Sequence, residues 1–227
     1  MSLAFMAATY GIKGLTRLGC RIDDSALHKV ARVGPLITVS NHISFLEVPV
    51  IFTHLQPRPV TGFAKAESWE NPLYRILFNL WGAIPLKRGE ADLSAMRKGL
   101  EALQAGKILG ISPEGTRSRD GRLGRGHPGV VTLALNSGAP LQPLVYYGGE
   151  DLNANLRRLR RTDFHIRVGQ RFYLDPHGEK PTKEVRQKMV DEIMYQIAAL
   201  LPPPYRGVYA NLEASTQDYL RFEAFNT

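Results

Sequence analysis

Cysteine is almost absent from this sequence, and its scarcity excludes two kinds of structural support. Cys20 is the only cysteine among the 227 residues, so the chain cannot form a disulfide bond within itself. No cysteine or histidine stands beside it to suggest a metal site. We therefore expect a reducing compartment, no metal ion, and a small apolar packing role for this side chain.

Long apolar runs are absent as well. A helix needs about 20 predominantly apolar residues to cross a bilayer, whereas the apolar start of segment 3–18 is followed by Lys13 and Arg17. A secretory signal places its positive charge before the apolar run, so this order argues against one. Two interpretations remain for the segment: a helix packed in the core, or an interfacial helix whose basic residues lie at the level of lipid headgroups.

No linker rich in proline, glycine and serine divides the chain, and 44% of its residues are apolar, which suffices for one complete core. We therefore predict a single domain over residues 21–201. Residues 1–20 are predicted to form an N-terminal, membrane-interacting helical arm, and residues 202–227 a C-terminal tail.

Acidic residues are in deficit, since 29 lysines and arginines face 21 aspartates and glutamates, for a net charge of +8. This excess indicates a polyanionic partner: nucleic acid, an anionic membrane or phosphorylated ligands. Nucleic-acid binding typically interleaves basic residues with stacking aromatics, and the densest basic run, 157–161, has no aromatic residue before Phe164. We expect no nucleic-acid partner and interpret the run as an exposed helix face on lipid headgroups.

Strand-like apolar segments alternate with helical patterns along the chain. Strands are predicted at residues 36–39, 58–65, 82–88, 107–111, 140–146 and 164–168. Helices are predicted from the turn after His42 to about His54, and at 72–81, 93–106, 129–136 and 182–201. This alternation predicts an α/β fold: a single-domain mixed sheet flanked by helices, with an N-terminal amphipathic helical arm and functional residues at the strand ends.

The clearest chemical pattern follows the first predicted strand. His42 and Glu47 are separated by five positions, which point about 140° apart within one helix. They meet only if His42 lies in the strand-to-helix turn and Glu47 in the first helical turn. An imidazole held by a carboxylate is typical of a general base. Ser44 and Glu47 also match a capping box, and the two carboxylate oxygens allow both roles.

Four blocks in this order resemble the glycerolipid acyltransferase family typified by bacterial 1-acylglycerol-3-phosphate acyltransferase. The blocks are Asn41-His42-x-Ser44-x-x-Glu47, Gly82 through Arg88, Pro113-Glu114-Gly115-Thr116-Arg117-Ser118, and Pro140-x-x-Pro143. Two positions depart from the usual pattern of the family, which has aspartate in place of Glu47 and an aromatic residue in place of Ser112. The longer carboxylate keeps the charge but extends its reach by one methylene.

The resemblance implies transfer of a fatty acyl group from acyl-CoA or acyl carrier protein to the sn-2 hydroxyl of lysophosphatidic acid, without a cofactor. His42 is the implied base and Glu47 its partner, and since the chain has no G-x-S-x-G elbow we expect no acyl-enzyme. The residues proposed to bind the substrate phosphate are Arg88, Glu114, Gly115, Thr116 and Arg117, and the weaker candidates are Asn41, Lys65 and Lys87.

Alternatives remain open at this stage. Another acceptor, such as glycerol 3-phosphate or a different lysolipid, would use the same residues. A non-catalytic basic module that binds membranes or nucleic acid would leave His42 with a structural role, and Arg88 and Arg117 as solvated charges. The expected location is the cytoplasmic face of the cell membrane, as a peripheral or monotopic protein that contacts anionic headgroups.

Overall fold

The computed structural model of the chain describes residues 3–87, 89, 92–118, 120–178 and 180–223. In chain order its elements are α1 (Leu3–Gly19), β1 (Cys20–Asp23), β2 (Leu36–Val39), α2 (Glu47–His54), β3 (Val60–Lys65), α3 (Pro72–Trp81), β4 (Ile84–Leu86), α4 (Leu93–Gln104), β5 (Ile108–Ile111), α5 (Gly129–Ser137), β6 (Leu141–Tyr147), α6 (Leu152–Arg157), β7 (Thr162–Val168), β8 (Phe172–Leu174), α7 (Lys183–Leu200) and β9 (Leu220–Phe222).

The strands form one mixed sheet in the order β1-β7-β6-β2-β5-β3-β4. Strands β6, β2, β5, β3 and β4 run parallel, whereas β7 is antiparallel to β6, and β1 is parallel to β7. Strands β8 and β9 extend the sheet beside β6 in antiparallel pairs. The carboxyl ends of the five parallel strands, and the first residues of β7 and β1, therefore share one margin of the sheet, called here the C-terminal edge. The predicted mixed sheet is confirmed.

Helices cover both faces of the sheet, because neighbouring residues of its strands point to opposite sides. Along β5, Leu109 packs in the core beneath α4, α5 and α7, while Ile108 packs in the core with α1, α2, α3 and α6. Both side chains are fully buried. A strand buried on two faces reads as a continuous apolar run, which is why this segment was predictable from sequence.

Local signals fix several helix ends. The Asn71 side chain accepts hydrogen bonds from the backbone N–H groups of Leu73 and Tyr74, and so caps α3 at its start. Gly82 ends α3 with a φ of 65°, a conformation that glycine adopts without steric cost. Thr182 caps α7 in the same way, by accepting from the N–H of Val185.

The predicted N-terminal arm is a single helix that packs along α2. Thr9 of α1 is buried, and Phe5 and Ile12 pack on the core beneath it. Its outer side leaves large apolar side chains exposed: Leu3, Met6, Tyr10, Leu15 and Leu18. The predicted core contact is therefore present on one side of the helix, and the interfacial interpretation stays a prediction for the exposed apolar side. Within the described residues no helix has the length and apolarity to cross a bilayer.

Two sequence predictions need correction. The predicted helix face over residues 157–161 is wrong, because α6 ends at Arg157 and the chain then turns through Leu159 with a φ of 54°. Residues 202–223 of the predicted tail are part of the domain. Strand β9 pairs with β8, and the buried Glu192 carboxylate accepts hydrogen bonds from Thr216 and from the backbone of Asp218 and Tyr219.

Candidate active site

The turn that follows β2 is fixed to the neighbouring strand β6 by a buried amide. Asn41 is 1% exposed, its Oδ1 accepts from the backbone N–H of Tyr146 at 2.9 Å, and its Nδ2 donates to the Tyr146 carbonyl at 2.7 Å. Strand β2 ends at Val39, and the Asn41 side chain continues its hydrogen bonding to β6 beyond that residue. Asn41, a weaker candidate for substrate contact, is therefore placed as a positioning residue beneath the turn.

His42 and Glu47 meet as the spacing predicts. His42 Nδ1 lies 2.6 Å from Glu47 Oε2, and Glu47 Oε1 accepts from the backbone N–H groups of Ile43 at 2.8 Å and Ser44 at 2.6 Å. An ionised carboxylate only accepts hydrogen bonds, so Nδ1 is the donor. In the neutral imidazole, Nε2 then keeps its lone pair. One carboxylate thus fixes the ring and also secures the start of α2.

The helix start explains how Pro49 is accommodated. Helix α2 begins at Glu47, so Pro49 lies in its first turn, where backbone N–H groups have no intrahelical acceptor and a proline costs little. Ser44 Oγ accepts from the N–H of Leu46 at 3.0 Å and completes the turn. The His42 ring remains partly open to solvent, with 19% of its side chain exposed against 7% for Glu47.

A second buried carboxylate, Glu114 after β5, joins this turn to the next. Glu114 is 6% exposed, and its oxygens accept from the backbone N–H groups of His42 at 3.1 Å and Gly124 at 2.8 Å. Burial is the main cause that raises the pKa of this carboxyl, and the two backbone hydrogen bonds oppose the rise. The geometry favours a positioning role for Glu114 over the predicted contact with a phosphate group.

The residues that follow Glu114 form an exposed turn at the C-terminal edge. Gly115 has a φ of 69°, and a Cβ there would also lie 3.4 Å from His127 Cδ2, so the turn favours glycine. Thr116 and Arg117 are exposed. Within the described residues, the Arg117 guanidinium has no hydrogen bond or ion pair, so all its donors are available to a ligand.

Two lysines extend the basic edge. Lys65 is the last residue of β3 and lies 3.5 Å from the Glu67 carboxylate. Lys87 follows β4, where its backbone N–H donates to Asp92 Oδ2 at 3.0 Å, and its side chain is exposed. Arg88, the other predicted arginine, lies outside the described residues. The C-terminal edge therefore carries Lys65, Lys87 and Arg117 near the His42 turn.

An apolar cavity of about 170 Å³ opens beside the His42 ring. Its walls come from α2, β3, α3 and β4, and its apolar lining consists mainly of Val48, Ile51, Phe52, Phe63, Phe78 and Leu86. His42, Lys65 and Gly115 also line it. A cavity of this composition favours a flexible apolar chain whose polar end meets the imidazole.

Nothing in the sequence marked Tyr146 as part of this site. Its ring is 1% exposed and lines the same cavity, and its hydroxyl has no hydrogen-bond partner within the described residues. Burial raises the pKa of this phenol well above its usual range, so the hydroxyl stays protonated. In the sequence, Tyr146 stands out only by its place shortly after the Pro140-x-x-Pro143 block. Its place in the cavity depends on the pairing of β6 with β2, which no local pattern shows.

A comparison of the sequence with models of protein families agrees with the fold and with this site. A model of the Acyltransferase family matches residues 21–147. This stretch contains all four sequence blocks and makes up more than half of the chain. The chain therefore belongs to the Acyltransferase family.

Curated relatives share part of this chain. The chloroplast 1-acyl-sn-glycerol-3-phosphate acyltransferase of Brassica napus is 31% identical over 116 residues, which cover 50% of this chain and 33% of the relative. The lyso-ornithine lipid O-acyltransferase of Pseudomonas aeruginosa is 30% identical over 142 residues, 56% of this chain and 54% of the relative. The matches thus span about a third to a half of the length of these relatives.

A solved structure shares the fold. The crystal structure of PlsC, the 1-acyl-sn-glycerophosphate acyltransferase of Thermotoga maritima, superposes with a TM-score of 0.56 over 85% of this chain and 81% of that chain, at 21% identity. The predicted α/β class, with a sheet between helical layers, is confirmed by this likeness.

Proposed function

We propose that this chain transfers a fatty acyl group from acyl-CoA or acyl carrier protein to the sn-2 hydroxyl of lysophosphatidic acid and so forms phosphatidic acid. The observation that carries the proposal is the hydrogen-bonded pair of His42 and Glu47, which lies at an apolar cavity and beside a basic edge. The cavity suits an acyl chain, the edge suits a phosphate, and the pair lies between them.

The proposed reaction transfers the acyl group directly to the acceptor, without an acyl-enzyme. His42 Nε2 accepts the proton of the acceptor hydroxyl as the oxygen attacks the thioester carbonyl carbon, and Glu47 stabilises the imidazolium that forms. The tetrahedral intermediate then expels the thiolate, which takes the proton back from Nε2. General base catalysis of this kind contributes about 10² to 10⁴ in rate.

The acceptor phosphate is proposed to bind the exposed guanidinium of Arg117, whose planar donors match phosphate oxygens. Arg88 is proposed for the same purpose from its sequence position. Thr116 supplies a hydroxyl beside Arg117, and Lys65 and Lys87 add positive charge at the same edge.

The membrane is proposed to supply the lipid substrate. Most large apolar side chains that the described residues expose lie on one helical layer of the sheet or at the His42 turn, and the exceptions are Val33, Leu93, Leu159 and Val208. On α3 they are Leu73, Tyr74 and Ile76, and at the turn Phe45 is 53% exposed. With the outer side of α1 they form a surface that suits peripheral binding at the cytoplasmic face of a membrane.

A different acceptor is the second candidate, because one relative is named a lyso-ornithine lipid O-acyltransferase. An acceptor with an ornithine headgroup would place an amino acid, and no phosphate, at the basic edge. The cations of that edge favour lysophosphatidic acid over it, since an anion gains more from fixed positive charge.

Transfer assays with a panel of acceptors test the proposal. Purified protein is given acyl-CoA or acylated carrier protein together with lysophosphatidic acid, glycerol 3-phosphate or a lyso-ornithine lipid, and the esters are quantified. We expect the highest kcat/KM with lysophosphatidic acid and at least a hundredfold loss in His42→Ala, with an unchanged circular dichroism spectrum. Transfer to none of the acceptors, or full activity in His42→Ala, would overturn the proposal.

A further inference from the structure

Residues 156–161, which comprise the last two residues of α6 and the loop to β7, carry an apolar side chain in an unusual exposed position. Leu159 is 96% exposed, and its φ of 54° lies in the left-handed region, which is uncommon for residues other than glycine, asparagine and aspartate. Leu156 beside it is 47% exposed. Neither core packing nor backbone preference accounts for a leucine at position 159. We therefore ask whether this side chain contacts a partner outside the chain. We name this segment the arginine loop.

The arginine loop surrounds Leu159 with exposed positive charge. Arg157, Arg158 and Arg160 are exposed, and in the described part of the chain their guanidinium groups form no hydrogen bond or ion pair. Arg161 differs, because it donates to the backbone carbonyls of Arg17 and Cys20 at 2.7 Å and so anchors the base of the loop. Three arginines of the loop are therefore without a partner among the described residues.

Acidic residues near the loop do not neutralise these arginines. Residues 152–161 contain no aspartate or glutamate. Asp151 lines a surface pocket together with Arg160, but within the described residues its carboxylate forms no ion pair with an arginine. The carboxylate of Asp163, at the start of β7, is occupied by Arg21 through contacts of 2.5 and 2.8 Å. Within the described residues, Arg157, Arg158 and Arg160 are thus exposed to solvent without an ion pair.

The position of the loop links it to the proposed membrane surface. Strand β7 begins at the C-terminal edge, so the loop lies at the same edge as the His42 turn. Leu156 approaches the end of α1, since its Cδ2 lies 3.5 Å from the place where a Cβ of Gly19 would be. Leu18, which directly precedes Gly19 in α1, is 74% exposed. Apolar and cationic groups thus continue from α1 into the loop.

We propose that the arginine loop is a membrane-docking site in which Leu159 enters the interface and Arg157, Arg158 and Arg160 bind anionic phospholipid headgroups. A bilayer interface accepts an exposed leucine and arginines together, because it offers apolar depth directly beneath phosphate groups. A nucleic acid would make use of the charges but typically stacks its bases on aromatic rings, and this loop has none. Binding through the loop places the C-terminal edge against the bilayer.

Vesicle co-sedimentation tests the charge contribution. Binding of the whole protein is measured on vesicles of phosphatidylcholine alone and of phosphatidylcholine with phosphatidylglycerol, for wild type and for the triple variant Arg157→Gln/Arg158→Gln/Arg160→Gln. The matched control is Lys98→Gln/Lys183→Gln/Lys188→Gln, which removes three exposed charges from α4 and α7 on the other face of the sheet. Since each basic residue near an anionic surface contributes roughly fivefold, we expect on the order of a hundredfold weaker binding in the arginine variant and much less in the control.

A single substitution tests the apolar contribution. Leu159→Ser is expected to weaken binding to both kinds of vesicle by about tenfold, while Val33→Ser, at an exposed apolar residue before β2 and thus at the opposite edge, serves as the control. Thermal unfolding of each variant confirms that the fold is retained. The ratio of acyl transfer to vesicle-borne acceptor over short-chain, water-soluble acceptor should fall in both loop variants.

Three results would overturn the inference. Equal losses of vesicle binding in the arginine and lysine variants would assign the effect to net charge. Unchanged vesicle binding in Leu159→Ser together with an unchanged activity ratio would leave the leucine without a membrane contact. Tighter binding of wild type to a single-stranded oligonucleotide than to anionic vesicles, lost in the arginine variant, would assign the loop to nucleic acid. The sedimentation results do not depend on turnover, so they stand even if the proposed acceptor is wrong.

Discussion

Glu47→Gln separates the two roles that one carboxylate has in this structure. Glutamine has the same shape, so its oxygen can still accept from the N–H groups of Ile43 and Ser44, as Oε1 does now. Its amide nitrogen then replaces Oε2 opposite His42 Nδ1. Because an amide NH₂ only donates, the ring must accept at Nδ1 and keep its proton on Nε2. The nitrogen that faces the substrate can then no longer take a proton.

The expected magnitudes follow from these contacts. Loss of the base should lower kcat by about 10² to 10⁴, whereas the free energy of unfolding should fall by no more than about 2 kcal/mol, since the turn keeps its acceptor. Glu47→Ala is less informative, because it leaves two buried N–H groups unpaired at about 1 to 3 kcal/mol each. Glu47→Asp keeps the charge and should keep much of the activity.

The assay is initial-rate transfer to lysophosphatidic acid for wild type, Glu47→Gln and Glu47→Asp, with urea unfolding of all three. The predicted pattern is a large loss of kcat in Glu47→Gln at nearly unchanged stability. If Glu47→Gln retains activity within about tenfold of wild type, the carboxylate serves the helix start alone and the base mechanism fails.

Three other perturbations test separate contacts. Arg117→Ala should raise KM or lower kcat/KM by the equivalent of about 2 to 5 kcal/mol for phosphorylated acceptors; an equal loss with a lyso-ornithine lipid would exclude a phosphate contact. His54 is fully buried, and burial lowers its pKa from 6.5 to about 4. Its neutral ring therefore stabilises the fold above pH 6.5, and this stabilisation, on the order of 3 kcal/mol, is lost as pH falls from 6.5 through 4. Urea unfolding between pH 7 and 4 should show a shallower decline in His54→Gln, and an identical decline would contradict the assignment. Tyr146→Phe should leave the free energy of unfolding unchanged or raise it by about 1 kcal/mol, because the hydroxyl has no partner within the described residues; a clear loss of stability would show that the hydroxyl is bonded.

The sequence predicted the parts of the site that local geometry controls. The contact of His42 with Glu47 follows from their spacing, once a strand must end and a helix must begin between them. The glycine at position 115 follows from the turn after β5. In both cases the residues that decide the structure lie within a few positions of one another, so pattern and turn chemistry suffice.

The contacts that depend on strand order could not be predicted from local patterns. Glu114 reaches the backbone of His42 only because β5 pairs with β2, and Tyr146 reaches the cavity only because β6 pairs with β2 on the other side. The basic run at 157–161 has a helix-compatible composition, and its local pattern does not show that Arg161 donates to the carbonyls of Arg17 and Cys20. Short strands such as β9 carry too little periodicity to be recognised alone.

The backbone of His42 is held on both sides by the turn that follows β5. Its N–H donates to Glu114 Oε1, and its carbonyl accepts from the N–H of Ser118 at 2.8 Å. Arg117 precedes Ser118 directly, so these two hydrogen bonds join the backbone that carries the imidazole to the backbone that carries the proposed phosphate-binding side chain. This connection sets the distance between the bound phosphorus atom and the oxygen of the acceptor that reacts. A hydroxyl one bond nearer to the phosphate, or one bond farther away, would miss the base, and the choice of ester position would be made by the backbone and not by a recognition pocket.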